Sequence, residues 1–331
     1  MTHHEETVAP MDLRAHLTSP TTRSALLVQQ AVLNAVRATL NASGFVEIPA
    51  VLVGPVTDPG VRGAKQADVD YYGARYKIMT SAILYKQAAL LGFDRIFCIA
   101  PNVRLEPSET ATTGRHLVEF HQIDVEMADT DRAGAMDMAQ KVVRAAAREV
   151  VQRLPEELAS LNRDSAAFAS LLDRAVPVIT HAEAVDKLVA LGAHQDPAAE
   201  ISWAGECLLT DKASGPLFVS DYPVGSRGFY DRESTTCPGV LRNFDLLAPE
   251  GFGELASGGE REHDYARIVS RMRETGENPE KYGWYLKLAR EGIRPSAGFG
   301  IGLERLTRYL TGLDDITRVT AFPKLPGVVE K

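Results

Sequence analysis

Residues whose types and spacing could do chemistry crowd into one stretch, Arg95 to Met127, which reads RIFCIAPNVRLEPSETATTGRHLVEFHQIDVEM. Ile96, Phe97, Cys98 and Ile99 form a short apolar run without helical spacing, the pattern of a strand buried on both faces. From Val118 onward apolar and polar residues alternate. That puts Ile123, Val125 and Met127 on one face of a strand and Phe120, Gln122, Asp124 and Glu126 on the other. Such a polar face is either the wet side of a half-buried strand or the floor of a site. The loop between the two strands supplies Arg104, Glu106, Arg115 and His116. Two arginines beside an aromatic ring can clamp a phosphate and stack a purine, because the guanidinium group is planar and presents paired donors.

Two later stretches carry complementary chemistry. In Gly251 to Glu262, GFGELASGGERE, Gly258 and Gly259 let backbone approach a ligand closely. Glu254 and Ser257 offer the hard oxygens that Mg²⁺ accepts, and Arg261 offers a fork for a carboxylate. Taken alone, the same residues also describe a glycine-rich turn with solvated charges. In Pro295 to Leu313, PSAGFGIGLERLTRYLTGL, Gly298, Gly300 and Gly302 alternate, so a strand there leaves one face bare of side chains and open to a flat ligand. The leucines from Leu303 to Leu313 then space a helix whose first turn holds Arg305. A cation there opposes the helix dipole and hints at another task, although a tight strand–helix joint is the plainer reading. A helix over 81–91, closed by Gly92, places Lys86 on one face with Ile83, Gln87 and Leu90, where lysine ordinarily snorkels to water.

The elements that position these groups can be followed along the chain. Residues 1–20 lack periodicity and read as a mobile tail, with His3 and His4 as tail residues. Residues 21–331 read as one catalytic unit. A helix over 23–42 precedes strand-like Phe45 to Leu52, and the Gly-, Pro- and Asp-rich segment 53–70 is a long loop and a candidate lid. Helical spacing over 132–154, a weaker helix over 156–175 and a capping box from Thr180 to Glu183 mark a helical insertion at about 130–200, in which no chemical constellation is evident. Strands are predicted at 217–220 and 240–247, separated by the turn-rich 221–233, and helices at 263–275 and 279–290 lead to the last strand and helix.

With 331 residues, 45% of them hydrophobic, the chain can bury a substantial core. No apolar run approaches the roughly 18 residues of a membrane span and the polar start lacks a signal-peptide core, so the expectation is a cytoplasmic protein without membrane contact. Cys98, Cys207 and Cys237 are too few and too scattered for a disulfide framework or a metal pattern. The formal charge of -8 argues against a large nucleic-acid footprint.

Taken together, NVRLE with RHLVEF, SAGFGIGLERL, and the helix followed by FVEIPAVL resemble the second, third and dimer-forming first motifs of class II aminoacyl-tRNA synthetases, in the aspartyl and asparaginyl branch. The narrower likeness, through PVTDP, SAILYKQ, APNVRLE, TGRHLVEFHQIDVE, FYDRE, GELASGGERE and RPSAG, is to archaeal asparagine synthetases descended from that branch. The resemblance spans about residues 20–327. It implies an α+β fold with an antiparallel sheet flanked by helices, a homodimer, and an ATP-dependent ligase that forms an acyl-adenylate with Mg²⁺.

Carried over by position, it implies that Arg104 holds the α-phosphate, Phe120 and Arg305 sandwich adenine, and Glu106 reads adenine or supports its loop. Arg115 and His116 reach the outer phosphates, Glu254 and Ser257 hold Mg²⁺, and Arg104, Arg305 and Glu254 carry catalysis. Lys86 and Arg261 grip a substrate carboxylate, and Asp221 takes the ammonium. Ile83 stands where aspartyl synthetases carry glutamine, so an ammonium there lacks an acceptor. That departure favours aspartate turned end for end, giving a β-aspartyl-adenylate that ammonia converts to asparagine. Glu260 and Ser296 are further departures, and Glu260 or Glu262 is a candidate for handling ammonium. The expected function is therefore an AMP-forming aspartate:ammonia ligase whose partners are small molecules. No anticodon reader fits at either end of this sequence, so tRNA is an unexpected partner. The alternatives are an amide synthetase with another acid or amine, and an aminoacyl transferase to tRNA or protein.

Overall fold

A computed structural model describes residues 11–59 and 64–328. Its strands are β1 (Val46–Glu47), β2 (Val53–Gly54), β3 (Asp68–Tyr71), β4 (Ala74–Ile78), β5 (Arg95–Val103), β6 (Glu119–Ala128), β7 (Val178–Thr180), β8 (Leu217–Ser220), β9 (Asn243–Ala248), β10 (Gly253–Glu260) and β11 (Ser296–Gly302). The helices are α1 (Leu13–Thr18), α2 (Pro20–Ala42), α3 (Ile83–Ala89), α4 (Arg132–Arg153), α5 (Pro155–Ser160), α6 (Ala169–Asp173), α7 (His181–Ala190), α8 (Trp203–Thr210), α9 (Tyr265–Glu274), α10 (Gly283–Glu291) and α11 (Leu303–Thr311).

The alternation in β6 decides how the large sheet is used. Eight strands pair in the order β1-β5-β6-β11-β10-β9-β8-β7, antiparallel throughout its middle and parallel only where β1 meets β5 and β7 meets β8. Ile123, Val125 and Met127 turn to the face covered by α2, α4 and α11, joining Phe299, Ile301, Phe244 and Leu246 in the main core. Each such side chain contributes about 1.5–3 kcal/mol on burial. α4 lies close to the strands because its inner face is short: Ala135, Ala139, Ala146 and Ala147 alternate with Val142, Val143 and Val150. Asp131 caps it by accepting a hydrogen bond from the Gly134 N–H. The other face of the sheet is left for the site.

Several boundaries differ from expectation. Residues 1–10 of the expected tail lie outside the described residues, and residues 13–18 are helical, capped by Asp12. In α2 the buried seam runs through Val28, Val32, Val36 and Leu40, with Leu26 only partly covered. Of the candidate lid, 60–63 lie outside the described residues; the flanking segments pair in a small sheet, β2-β4-β3. Residues 130–200, expected as a helical insertion, meet the sheet: β7 extends its edge and the Thr180 capping box opens α7, while α8, beyond them, packs over β9 and β10. No helix among the described residues is long and apolar enough to cross a membrane.

Candidate active site

The strand registers line up the site in rows. Asp124, Gly300, Ser257 and Asp245 are successive cross-strand partners on β6, β11, β10 and β9, and Gln122 pairs with Gly302 one step along. Above this floor lies a cavity of roughly 450 Å³. Gly300 and Gly302 keep its centre shallow. Gly298 has another reason to lack a side chain, since a Cβ there would fall 2.2 Å from a carboxylate oxygen of Glu126, which lies across it.

One end of the cavity is rich in arginine. The Arg104 guanidinium lies 5.1 Å from the centre of the Phe120 ring and its Nε donates to the Thr80 carbonyl at 3.2 Å. Arg305 pairs with Glu254 at 3.2 Å, and Arg115 pairs with Glu206 at 2.9 Å. Burial pushes the Glu254 carboxyl up, but Arg305, Arg115 and Arg227 together hold it below its ordinary value. Burial, with Arg305 and Arg115 adding to it, depresses His116 to about 3, so its ring is neutral near pH 7 and hydrogen-bonds Thr113 Oγ1 at 2.6 Å. Burial likewise raises Glu106, against the pull of Arg104.

The other end is a closed ionic network. Lys86 Nζ sits 2.6 Å from Asp124 Oδ1 and 3.7 Å from Glu126 Oε2, all three side chains being almost wholly buried. Arg261 holds both oxygens of Glu126, at 3.0 and 3.2 Å, and reaches Asp231 at 3.4 Å. Ser296 donates to Glu126 at 3.0 Å. Burial raises Asp231 to about 6 despite Arg261. Tyr230 donates to Asp58 at 2.9 Å, tying the segment between β2 and β3 to this end. Lys86 therefore does not snorkel. Three buried carboxylates, Asp124, Glu126 and Asp231, already hold the two cations expected to grip a substrate carboxylate and fix their direction.

Between the ends, β10 and β9 present oxygen. Glu254 and Ser257 are joined by Asp245, whose Oδ2 binds Arg227 at 2.5 Å and whose buried Oδ1 has no partner. Arg227 also donates to Ser257 at 2.9 Å and lies 2.8 Å from Glu200. Two carboxylates, one of them with an oxygen left unpaired, and a hydroxyl fit Mg²⁺, which takes one or two carboxylates and completes its shell with water and phosphate.

Eleven of the sequence-derived candidates line this cavity: Ile83, Lys86, Arg104, Glu106, Arg115, His116, Phe120, Glu254, Ser257, Arg261 and Arg305. Three do not. Asp221 pairs with Arg132 at 2.5 Å and accepts from Ser220; Glu260 is held by Arg242 at 2.6 Å and Arg232 at 3.5 Å; Ser296 acts through Glu126. Glu262 accepts from the backbone N–H groups of His263 and Asp264 and does not line the cavity. Sequence reading passed over Asp245, Arg227, Asp231 and Glu206. A carboxylate inside the apolar run Phe244–Leu247 was the available signal for Asp245, whereas Glu206 had none.

Comparison with known proteins places this geometry. The profile of the tRNA synthetases class II (D, K and N) matches residues 10–326. The asparagine–tRNA ligase of Thermococcus kodakarensis is 32% identical over 96% of this chain and 73% of its own length, and that of Chloroflexus aurantiacus is 31% identical over 97% and 75%. The crystal structure of Pyrococcus horikoshii asparaginyl-tRNA synthetase complexed with asparaginyl-adenylate superposes with a TM-score of 0.90 at 28% identity, covering 96% of this chain and 72% of that one. These relatives overturn the expected asparagine synthetase and the exclusion of tRNA. The first rested on Ile83, which lines the cavity, and on Lys86 and Arg261 taken as free carboxylate grips, whereas both cations are already paired with Asp124, Glu126 and Asp231; the accessory candidates Asp221, Glu260 and Ser296 do not line the cavity. The second rested on net charge and chain ends, neither of which describes the site. Enzymes of this family are ATP-dependent ligases that form aminoacyl-adenylates, and the antiparallel sheet, its glycine floor and the arginine-lined cavity agree with the profile match: the chain belongs to the class II tRNA synthetases of the D, K and N group.

Proposed function

We propose that the protein joins asparagine, or an amino acid of closely similar size, to ATP as an aminoacyl-adenylate and passes the acyl group to tRNA. The observation that carries this reading is one continuous cavity with an arginine end and an end of paired charges over a glycine floor. The asparagine–tRNA ligases that share most of the chain support the choice of acid and acceptor. The paired end, with Lys86 held by Asp124 and Arg261 by Glu126 and Asp231, suits a polar amide, because both donors and acceptors face it in fixed directions.

In the first step a carboxylate oxygen of the amino acid bonds to the α-phosphorus while the bond to the β-phosphate oxygen breaks, releasing pyrophosphate. Arg104 offsets charge growing on the α-phosphate, Phe120 and Arg305 sandwich the base, and Arg115 and His116 face the outer phosphates. Glu254, Asp245 and Ser257 would hold Mg²⁺, which supplies charge neutralisation on the phosphates when bound. The rest is positioning, for which no covalent protein intermediate is needed. In the second step a ribose hydroxyl of the tRNA 3′ end attacks the carbonyl carbon and AMP leaves. Pyrophosphate exchange with asparagine, followed by charging of bulk tRNA, tests the two steps. Absence of exchange with both asparagine and aspartate refutes the adenylation; exchange without charging refutes the acceptor.

A further inference from the structure

We infer that Glu206, on helix α8, is a positioning residue for the nucleotide: it aims Arg115 and fixes the start of the strand that carries Glu254. The inference rests on reading the arginine end as an ATP site. One carboxylate oxygen, Oε2, accepts both from Arg115 Nη1 at 2.9 Å and from the backbone N–H of Glu254 at 3.0 Å. Arg115 and Glu206 are about 5% exposed. The guanidinium that Glu206 holds on one side leaves its buried Nε without a partner, on a residue that lines the cavity. A buried cationic donor left unpaired in a cavity calls for an anionic acceptor, and a phosphate oxygen is the one this end offers.

The backbone is shaped for the contact. Gly253 has φ +71, and a Cβ there would fall 2.9 Å from Glu206 Oε2 and 3.3 Å from Arg115 Nη1. Trp203, one turn earlier on α8, lies under the same guanidinium at 5.9 Å. Helix α8 thus supplies a wall of the site.

The test is pyrophosphate exchange by the full chain with Glu206→Gln and Glu206→Asp. Glu206→Gln should raise the KM for ATP about tenfold, the size of a lost charged hydrogen bond, while the KM for the amino acid stays within about twofold. The melting temperature of this variant should not drop, and Glu206→Asp should recover part of the loss. Unchanged KM for ATP in Glu206→Gln overturns the inference. So does a parallel loss of melting temperature and of both KM values, which marks a structural role. Wild-type protein without exchange activity refutes the ATP-site reading instead.

Discussion

Replacing glycines 298 and 300 by alanine, one at a time, separates what holds the floor together from what it serves. An ideal Cβ on Gly298 would stand 2.2 Å from Glu126 Oε2 and 2.2 Å from the Val125 carbonyl oxygen. The second contact is backbone, so the strand pair itself has to move. Overpacking of this kind costs about 1–3 kcal/mol, and displacing Glu126 from Arg261 leaves buried charge exposed to a further penalty of about 3–5 kcal/mol. For a chain of this size we expect a melting temperature lower by roughly 8 °C or more. On Gly300 the methyl meets Asp124 Oδ1 at 3.1 Å and Gln122 Nε2 at 3.2 Å, both ends of side chains that can shift by tenths of an ångström. Gly300→Ala should therefore melt within about 3 °C of wild type, since a tolerated small-to-large change costs around 1 kcal/mol. Because its methyl projects into the cavity floor, pyrophosphate exchange should fall by about tenfold or more through lost near-attack geometry. Thermal melts and exchange assays on both variants read the two effects. A Gly298→Ala protein as stable as wild type, or a Gly300→Ala protein with full exchange activity, refutes the reasoning.

Other outcomes follow from the same geometry. Arg104→Ala should leave the melting temperature unchanged and reduce kcat for exchange about 10²-fold, the usual effect of deleting one preorganised charge contact at a developing anion; exchange assays and melts check it. Lys86→Met should destabilise by about 3–5 kcal/mol, because Asp124 is left buried and unpaired, and Lys86→Met with Asp124→Asn should recover much of that in chemical denaturation. His116, whose pKa burial lowers from 6.5 to about 3, stays neutral in the fold while the unfolded chain takes up a proton. Its stability contribution is present above pH 6.5 and is lost as pH falls toward 3, so His116→Asn should flatten the acid-side decline in melting temperature over that window. Glu206 has the opposite sign. Its pKa is raised to about 6, so its contribution is fullest below pH 4.5 and diminishes as pH rises through 6.

The sequence shows periodicity and local turn chemistry, and what depends on them was legible. Alternation in β6 put Phe120, Gln122 and Asp124 on one face, which is the cavity face, the glycine alternation gave β11 its bare face, and Thr180 with Glu183 marked the start of α7. Partners distant along the chain were not legible. Arg115 meets Glu206 across 91 positions and Lys86 meets Asp124 across 38, and no period in either segment announces the other. The same gap misplaced Asp221 and Glu260, which are acidic and near the right strands but point at Arg132, Arg232 and Arg242. Judging Lys86 and Arg261 as carboxylate grips without their buried counter-charges then favoured the wrong reaction. The adenylate end of the chemistry is written in local motifs; the acid and the acceptor depend on a network that only the fold assembles.

The most direct measurement is aminoacylation with labelled asparagine, ATP and Mg²⁺ on bulk tRNA, run beside pyrophosphate exchange. The account predicts asparagine-dependent exchange and label that becomes acid-precipitable and is released by ribonuclease or mild alkali. Exchange with no label on tRNA, or no exchange with asparagine, contradicts it.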